Sequence, residues 1–594
     1  MPEYRAPLND MRFVLNELAG LPELAQAIPA FENATSDVVD SILAEAGRFA
    51  GEVLSPLNRS GDLEGVRIVD GGVKAAADFP KAYRDFAAGG WVSLSADPEY
   101  GGQGLPRVVA VPAGEMWAAA NSAFANCPEL AGGAIMALEA HASPELRAQF
   151  LPRVTSGEWT ATMCLTEPQA GTDLAAVQTR AELAGDRYRL FGRKIFITWG
   201  DHDMTDNIIH LVLARGPDAP PGVKGISLFL VPKFKVKPDG SLGERNDIRV
   251  VSVEHKLGLH ASPTCVMALG DHGGAEGFLI GRLHEGLTCM FTMMNHMRLG
   301  VGVQGIGLAD RAYQQAVAYA RERVQGRSRD GKERVPIIRH ADVRRMLLTM
   351  RALTEASRAI AYVTATQLDL AHHSSEETAR RRHQARADLL IPIVKGWGTE
   401  IAQEVASLGV QVHGGMGFIE ETGAAQFLRD ARITAIYEGT NGIQAIDLVG
   451  RKLLRDGGRA LEDLLGEMRA LDAPLAEGGA SLTTIREALA TGVRAVSDSA
   501  RLILDSSSKD EDLPWSAAFS FLMLLGTVCG AWQMARAALI AARGTSTAAD
   551  ARFLRAKLAT ARFYADQILP RALAYAKAAA AGSESIMAFE EEDF

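Results

Sequence analysis

Two short runs, Ile208-Ile209-His210-Leu211-Val212-Leu213 and Ile226-Ser227-Leu228-Phe229-Leu230-Val231, decide the fold class. Both are rich in β-formers and bounded by breaks, the signature of strands. A third, Arg187-Tyr188-Arg189-Leu190, follows the turn residues Ala184-Gly185-Asp186. Together they predict a β-domain from about 160 to 283.

On either side the apolar residues return to helical spacing. Upstream, Val38, Val39, Ile42, Leu43 and Ala46 open a helical stretch reaching about 151, interrupted by Glu99-Tyr100-Gly101-Gly102-Gln103-Gly104-Leu105-Pro106. Downstream, long periodic segments at 306–323, 340–370 and 377–408 predict a helical bundle. Beyond Arg451 an alanine-rich region, entered through Asp456-Gly457-Gly458, reads as an appended helical domain. The expected divisions are an extension at 1–35, a helical domain at 36–159, the β-domain at 160–284, a helical bundle at 285–452 and the extra helical domain at 453–594.

The length of 594 residues exceeds one hydrophobic core, and 47% hydrophobic with 23% charged residues is ordinary globular composition. A net charge of −10 argues against nucleic acid as partner. Five scattered cysteines, with no C-x-x-C pair, predict neither a disulfide framework nor a zinc site, and no metal is expected. The start Met1-Pro2-Glu3-Tyr4-Arg5 lacks a secretory pattern, so a cytoplasmic location is expected. Residues 513–535 carry no charge and could span a bilayer by length; the expectation is a helix buried among other helices.

Gly300-x-Gly302-x-x-Gly305 formally matches a dinucleotide fingerprint, but 290–299 is not a strand, so the glycines read as sites of close helix packing and no NAD is expected. Five other elements carry chemistry. Leu165-Thr166-Glu167-Pro168-Gln169-Ala170-Gly171-Thr172-Asp173 offers hydroxyls and backbone N–H groups at a strand end. Lys194-Ile195-Phe196-Ile197-Thr198-Trp199-Gly200 suits the covering of a flat ring system. Tyr319-Ala320-Arg321-Glu322-Arg323-Val324-Gln325-Gly326-Arg327 brings guanidiniums to a helix end, where they can grip phosphate. Gly409-Val410-Gln411-Val412-His413-Gly414-Gly415-Met416-Gly417-Phe418 is a glycine-rich break after a long helix, where the backbone can closely approach a ligand. Arg429-Asp430-Ala431-Arg432-Ile433-Thr434-Ala435-Ile436-Tyr437-Glu438-Gly439-Thr440-Asn441-Gly442-Ile443-Gln444 sets one acid between an aromatic and a glycine.

In this order, with Glu438 twenty residues after Phe418, the elements resemble the acyl-CoA dehydrogenase family over about 37–452. The resemblance implies a mainly α fold with a central β-domain: N-terminal helices, a middle β-barrel and a C-terminal four-helix bundle, here followed by an additional helical domain. It implies FAD as cofactor, contacted by Leu165, Thr166, Gly171, Thr172, Phe196, Thr198 and Thr440. Arg323, Gln325, Gln411 and Gly415 match positions that reach the FAD of a neighbouring subunit, so at least a homodimer is implied. Glu438 matches the family's catalytic base, and Thr172 and Arg298 match substrate-side positions. Met163, Thr172, Phe196 and Gly442 depart from the residues common in the family.

The length, the opening Tyr4-Arg5-Ala6-Pro7-Leu8-Asn9-Asp10 and Leu57-Asn58-Arg59-Ser60-Gly61-Asp62 resemble the roughly 600-residue bacterial branch that includes 3-methylmercaptopropionyl-CoA dehydrogenases. The implied reaction takes 3-methylmercaptopropionyl-CoA to methylthioacryloyl-CoA in dimethylsulfoniopropionate demethylation, with electrons passed to electron-transfer flavoprotein. Three alternatives stand beside it: a straight-chain fatty acyl-CoA dehydrogenase of β-oxidation, an acyl-CoA oxidase, and a DNA-associated flavoprotein of the alkylation-response type. Against the last, residues 451–594 hold 17 basic and 19 acidic side chains.

Overall fold

The computed structural model describes residues 3–506, 509–544 and 547–594. Two compact units divide the chain: one holds Glu45–Pro106 and Met116–Gly300, the other the residues up to Ala44, Arg107–Glu115 and Val301–Phe594.

The first unit carries an eight-stranded sheet. Its order is Ile248–Val253, Thr264–Leu269, Arg187–Thr198, Ala275–Ile280, Ile226–Pro232, Asn207–Arg215, Trp159–Cys164, with Arg180–Ala184 paired to Arg187–Thr198 and, at its first residue, to Asn207–Arg215. Every residue of Ile226–Pro232 is buried, as are all but the last of Asn207–Arg215. A strand covered on both faces favours apolar residues at nearly every position, which is why the runs at 208–213 and 226–231, broken only by His210 and Ser227, show no alternation. Trp159–Cys164 runs parallel to Asn207–Arg215, whereas most neighbours are antiparallel.

One register slip shapes this sheet. Between Cys265 and Met267 only Val266 faces Ile195 and Phe196, so the long strand bulges there and Phe196 takes a left-handed backbone at φ 58°. A bulge re-aims the side chain it carries. The Phe196 ring consequently stands 59% exposed in a strand whose neighbours Ile197 and Trp199 are buried.

The helices of the same unit meet over aromatic edges, with Phe86 4.6 Å from Trp117 and 5.8 Å from Phe124. Within Arg107–His141 the backbone breaks at Asn121, whose Oδ1 accepts from Phe124 N at 3.1 Å and so caps the restarted helix. Trp199 Nε1 donates to the carbonyl of Ala123 at 3.1 Å. A hairpin of Arg67–Val69 and Gly72–Lys74, not anticipated from sequence, turns on Asp70 and Gly71, both at positive φ. Asp201 and Asp203 hold it, by Val73 N at 3.1 Å and Lys74 Nζ at 3.0 Å.

The second unit is helical. Ala341–His373 packs on Glu377–Pro392 and Gly398–His413, and the last of these meets Gly286–Glu322 where Gly305 faces Ala402 and Gly409 faces Ala312. The segment expected as one helix at 377–408 is interrupted by a π-helical turn, Ile393–Trp397. The helix expected to end near Arg323 stops at Glu322, and Val324–Arg327 forms a strand paired with Arg334–Pro336. Gly302 lets its helix approach Val394, whose carbonyl would lie 2.7 Å from an added Cβ.

At the centre of this unit Arg358, 2% exposed, donates to Glu115 at 2.5 and 2.9 Å and to Asp10 at 2.5 Å, and lies 3.3 Å from Asp310. Tyr362 donates to Glu115 at 2.8 Å. Lys557 of Ala548–Phe563 pairs with both Asp10 and Glu355. Burial alone would raise Asp10, but Lys557 and Arg358 hold its carboxyl at about 2; burial wins at Asp310, pushed up to about 6 against Arg358.

The uncharged stretch at 513–535 belongs to Leu513–Ala542. Among the described residues it is the one helix long and apolar enough to span a bilayer, yet 78% of its most apolar window is buried inside the protein. Gly526 permits the contact: a Cβ there would come within 2.3 Å of Trp397 Cγ.

Two histidines make the sheet unit acid-sensitive. His202 Nδ1 accepts from Met204 N at 3.1 Å, so Nε2 carries the proton and donates to Thr160 Oγ1 at 2.9 Å; His210 Nδ1 shares a 2.7 Å bond with Thr162 Oγ1. Burial, aided by the charge of Lys233, pushes both imidazoles down to about 3. Below the ordinary pKa of 6.5 the unfolded chain binds protons that the folded chain refuses. Stability therefore falls as pH drops from 6.5 toward 3, by roughly 1 kcal/mol per pH unit for each histidine. His210→Gln should make the fall of thermal midpoint between pH 6.5 and 5 visibly shallower; an unchanged slope would mean that this histidine does not govern acid lability.

Candidate active site

The sequence-selected residues form separate clusters, each held by its own scaffold. In the sheet unit, Leu165 and Thr166 follow the strand Trp159–Cys164 and are half-buried. Lys194, fully buried in the strand Arg187–Thr198, donates to Leu165 O at 2.9 Å and to Glu167 Oε1 at 2.7 Å. Ile195 N donates to Thr166 O at 2.9 Å. Glu167 also accepts from Gln178 N at 2.7 Å and Thr179 N at 3.0 Å, so one carboxylate closes the whole loop. Burial alone would raise Glu167, but Lys194 beside it holds its carboxyl below the usual range; burial lowers Lys194 in spite of Glu167.

This ion pair brings the loop and the Phe196 bulge together. Gly171 and Thr172 lie exposed at the tip of the loop, and their N–H groups make no backbone hydrogen bond among the described residues. Thr198 ends the strand opposite Thr264 and is half-buried. Arg298, buried on Gly286–Glu322, donates to Asn295 Oδ1 at 3.4 Å.

In the helical unit, Arg323 lies just beyond the helix and Gln325 on the following strand, both exposed. Gln411 is exposed near the end of Gly398–His413, and Gly415 lies in the next turn. Tyr319 stacks on His413 at 4.5 Å, which holds these two segments side by side.

Glu438 and Thr440 share one short turn. Glu438 has φ 57° and Gly439 φ 84°, two successive left-handed residues of which only the glycine takes that conformation without strain. Glu438 is half-buried, and Thr440 Oγ1 caps the helix Asn441–Asp447 by accepting from Ile443 N at 3.3 Å. Tyr437 OH donates to Gln304 Oε1, fixing the side of the turn that precedes the acid.

Four family models match in chain order: acyl-CoA dehydrogenase N-terminal domain at 41–158, middle domain at 162–272, C-terminal domain at 284–454, and an acetyl-CoA dehydrogenase C-terminal-like domain at 464–590. The chain is 47% identical over 569 residues to 3-methylmercaptopropionyl-CoA dehydrogenase of Ruegeria pomeroyi, covering 95% of this chain and 96% of that one. It belongs to the acyl-CoA dehydrogenase family. The dehydrogenase is also 32% identical to a butyryl-CoA dehydrogenase of Syntrophomonas wolfei, over 99% of both chains. Among solved structures, an acyl-CoA dehydrogenase complexed with FAD from Bacillus anthracis shares the fold at TM-score 0.74 and 22% identity, over 92% of this chain and 88% of that one.

The enzyme is an oxidoreductase that uses FAD to desaturate an acyl-CoA thioester between Cα and Cβ. Its own residues fit that cofactor. In the sheet unit an aromatic ring raised from a bulge offers a flat apolar surface, and exposed Gly171 and Thr172 offer N–H and hydroxyl donors; in the helical unit exposed Arg323 offers a guanidinium.

Lys194 was not singled out from the sequence, although it stands in a motif that was; a lone lysine inside a strand of apolar and aromatic residues was the available signal. Lys194→Met should leave Glu167 charged and buried without its partner, costing about 3–5 kcal/mol in urea unfolding. The double variant Lys194→Met/Glu167→Gln should recover part of that loss, and a single variant as stable as wild type would remove the pair as the loop's anchor.

Proposed function

We propose that the dehydrogenase converts 3-methylmercaptopropionyl-CoA to methylthioacryloyl-CoA, with Glu438 as the base that removes the α-proton. The substrate reading is supported by the 47% identity to the Ruegeria pomeroyi enzyme, sustained over 95% of the chain. The reading of the base is supported by one observation: Glu438 is an acid in a left-handed turn that sequence alone would not favour.

The α-proton of a thioester is weakly acidic, so its removal needs both a positioned carboxylate and donors for the developing negative charge on the carbonyl oxygen. Glu438 takes the proton, and its own backbone N–H, directed by the left-handed turn, serves as one donor. When bound, FAD would supply the acceptor for the hydride that leaves Cβ. Leu165, Thr166, Gly171, Thr172, Phe196, Thr198 and Thr440 hold the cofactor, with Thr172 and Arg298 on the substrate side.

Arg323, Gln325, Gln411 and Gly415 are assigned to the FAD of a neighbouring subunit, which makes the working form a homodimer or larger. Electron-transfer flavoprotein is the proposed acceptor, and a cytoplasmic setting fits the scattered, unpaired cysteines, all five of which are buried.

A thioether sulfur and a methylene are alike in size and nearly apolar, so an apolar pocket separates them only modestly. Purified enzyme should therefore turn over 3-methylmercaptopropionyl-CoA and pentanoyl-CoA with similar kcat/KM, and Glu438→Gln should lose both by several powers of ten while still binding them. Much higher efficiency on palmitoyl-CoA would replace the sulfur substrate with a long-chain one, and near-wild-type turnover by Glu438→Gln would remove the base.

A further inference from the structure

The turn that carries Glu438 is closed by a side chain six residues further on. Gln444, fully buried in the helix Asn441–Asp447, donates from Nε2 to Glu438 O at 3.2 Å and to Gly439 O at 3.3 Å. Because both partners are carbonyls, the amide orientation is fixed: the NH2 group faces the turn. An added Cβ on Gly439 would sit 2.9 Å from Gln444 Nε2, so the side chain fills the space that glycine leaves open. The Gln444 Cβ itself lies 3.2 Å from the position a Cβ would take on Gly396, in the π-helical turn.

A second hydrogen-bonded cluster fixes the helix from which Gln444 projects. Asn441 Oδ1 accepts from Lys395 Nζ at 2.9 Å, and its Nδ2 donates to Thr399 Oγ1 at 2.9 Å and to Glu400 Oε1 at 2.8 Å. The Thr399 hydroxyl spends its proton on Lys395 O at 2.7 Å, which leaves its oxygen to accept from Asn441. Lys395, Thr399 and Asn441 are all buried, and Lys395 stands within the π-helical turn itself. π-Helical turns inside longer helices recur at functional sites. Here Lys395 of that turn bonds to Asn441, and Gly396 faces Gln444.

We propose that Gln444 is a positioning residue for proton removal, with Asn441 and Lys395 anchoring it: together they hold two successive left-handed residues, 438 and 439, in the one conformation that aims the base. A polar clasp suits this task better than apolar packing, because a strained backbone must be over-determined to persist, and two carbonyls held by one amide fix two peptide planes at once. The sequence supplies no carboxylate at 444 and no hydrophobe; either would remove the amide donor that the two carbonyls share.

The proposal rests on Glu438 as the base and is tested so that the two can fail separately. Gln444→Met keeps the volume and removes the donors. It should fold and retain FAD, show KM for acyl-CoA within about 3-fold of wild type, and lose about 100-fold in kcat, the scale expected when a reacting group is displaced by about 1 Å. The exchange of the substrate α-proton with solvent deuterium should slow by a similar factor. In a Glu438→Gln background the same substitution should change the residual rate little, because the residue it positions is already disabled. If Gln444→Met does not fold, Asn441→Ala carries the same readouts. Unchanged kcat, or losses that multiply in the double variant, would overturn the clasp. A Glu438→Gln enzyme of near-normal rate would overturn the base instead.

Discussion

One buried guanidinium organises the helical unit. Arg358 reaches Asp10 near the start of the chain, Glu115 at the head of Arg107–His141 and Asp310 on Gly286–Glu322, while Lys557 of the C-terminal region joins the cluster through Asp10 and Glu355. Segments from the beginning, middle and end of the sequence thus share one set of charges. Such a network is costly to desolvate and contributes little net stability over an apolar core, but it tolerates only one arrangement of its members. Its consequence is register: the extension, the bundle helices and the appended domain have one mutual alignment in which no carboxylate is left without a cation. The π-helical turn and the helix bearing Gln444 lie within the same unit.

The same logic recurs on a smaller scale where chemistry is placed. Lys194 and Glu167 close the loop beside Phe196, and the Lys395–Asn441 pair anchors the helix that follows Glu438. In both places a buried lysine serves as anchor, and half-buried or exposed residues near it are the ones proposed to meet a ligand. Phe196 and Glu438 are also among the few non-glycine residues at positive φ. Rigid polar anchors thus hold a short strained segment, and the strained segment carries the side chain proposed to react or to meet the cofactor.

Much of the fold was legible because periodicity changes with secondary structure. The fully buried strands at 208–213 and 226–231 announced themselves by composition, and the long helices by their spacing. What escaped was local and set by tertiary contact. The hairpin at 67–74 has three-residue strands without alternation, and its stability comes from Asp201 and Asp203, more than a hundred residues away. The interruption at Ile393–Trp397 leaves no mark in apolar spacing, because a single inserted residue shifts the pattern by less than a third of a turn. Glu438 stood out in the sequence as an acid set between Tyr437 and Gly439. The roles of Lys194, Gln444 and Asn441 were not, since an isolated polar residue in sequence does not reveal which backbone carbonyl it will face.

The account turns on a carboxylate that takes the α-proton of a short acyl thioester as the electron pair leaves Cβ. The most direct test is anaerobic rapid mixing of the flavin-loaded enzyme with 3-methylmercaptopropionyl-CoA, protiated or dideuterated at Cα, following the loss of oxidised-flavin absorbance. The account predicts rapid bleaching, one enoyl thioester formed per flavin reduced, and a clear slowing on α-deuteration. A flavin that stays oxidised with this thioester, or bleaches at a rate indifferent to α-deuterium, would contradict it.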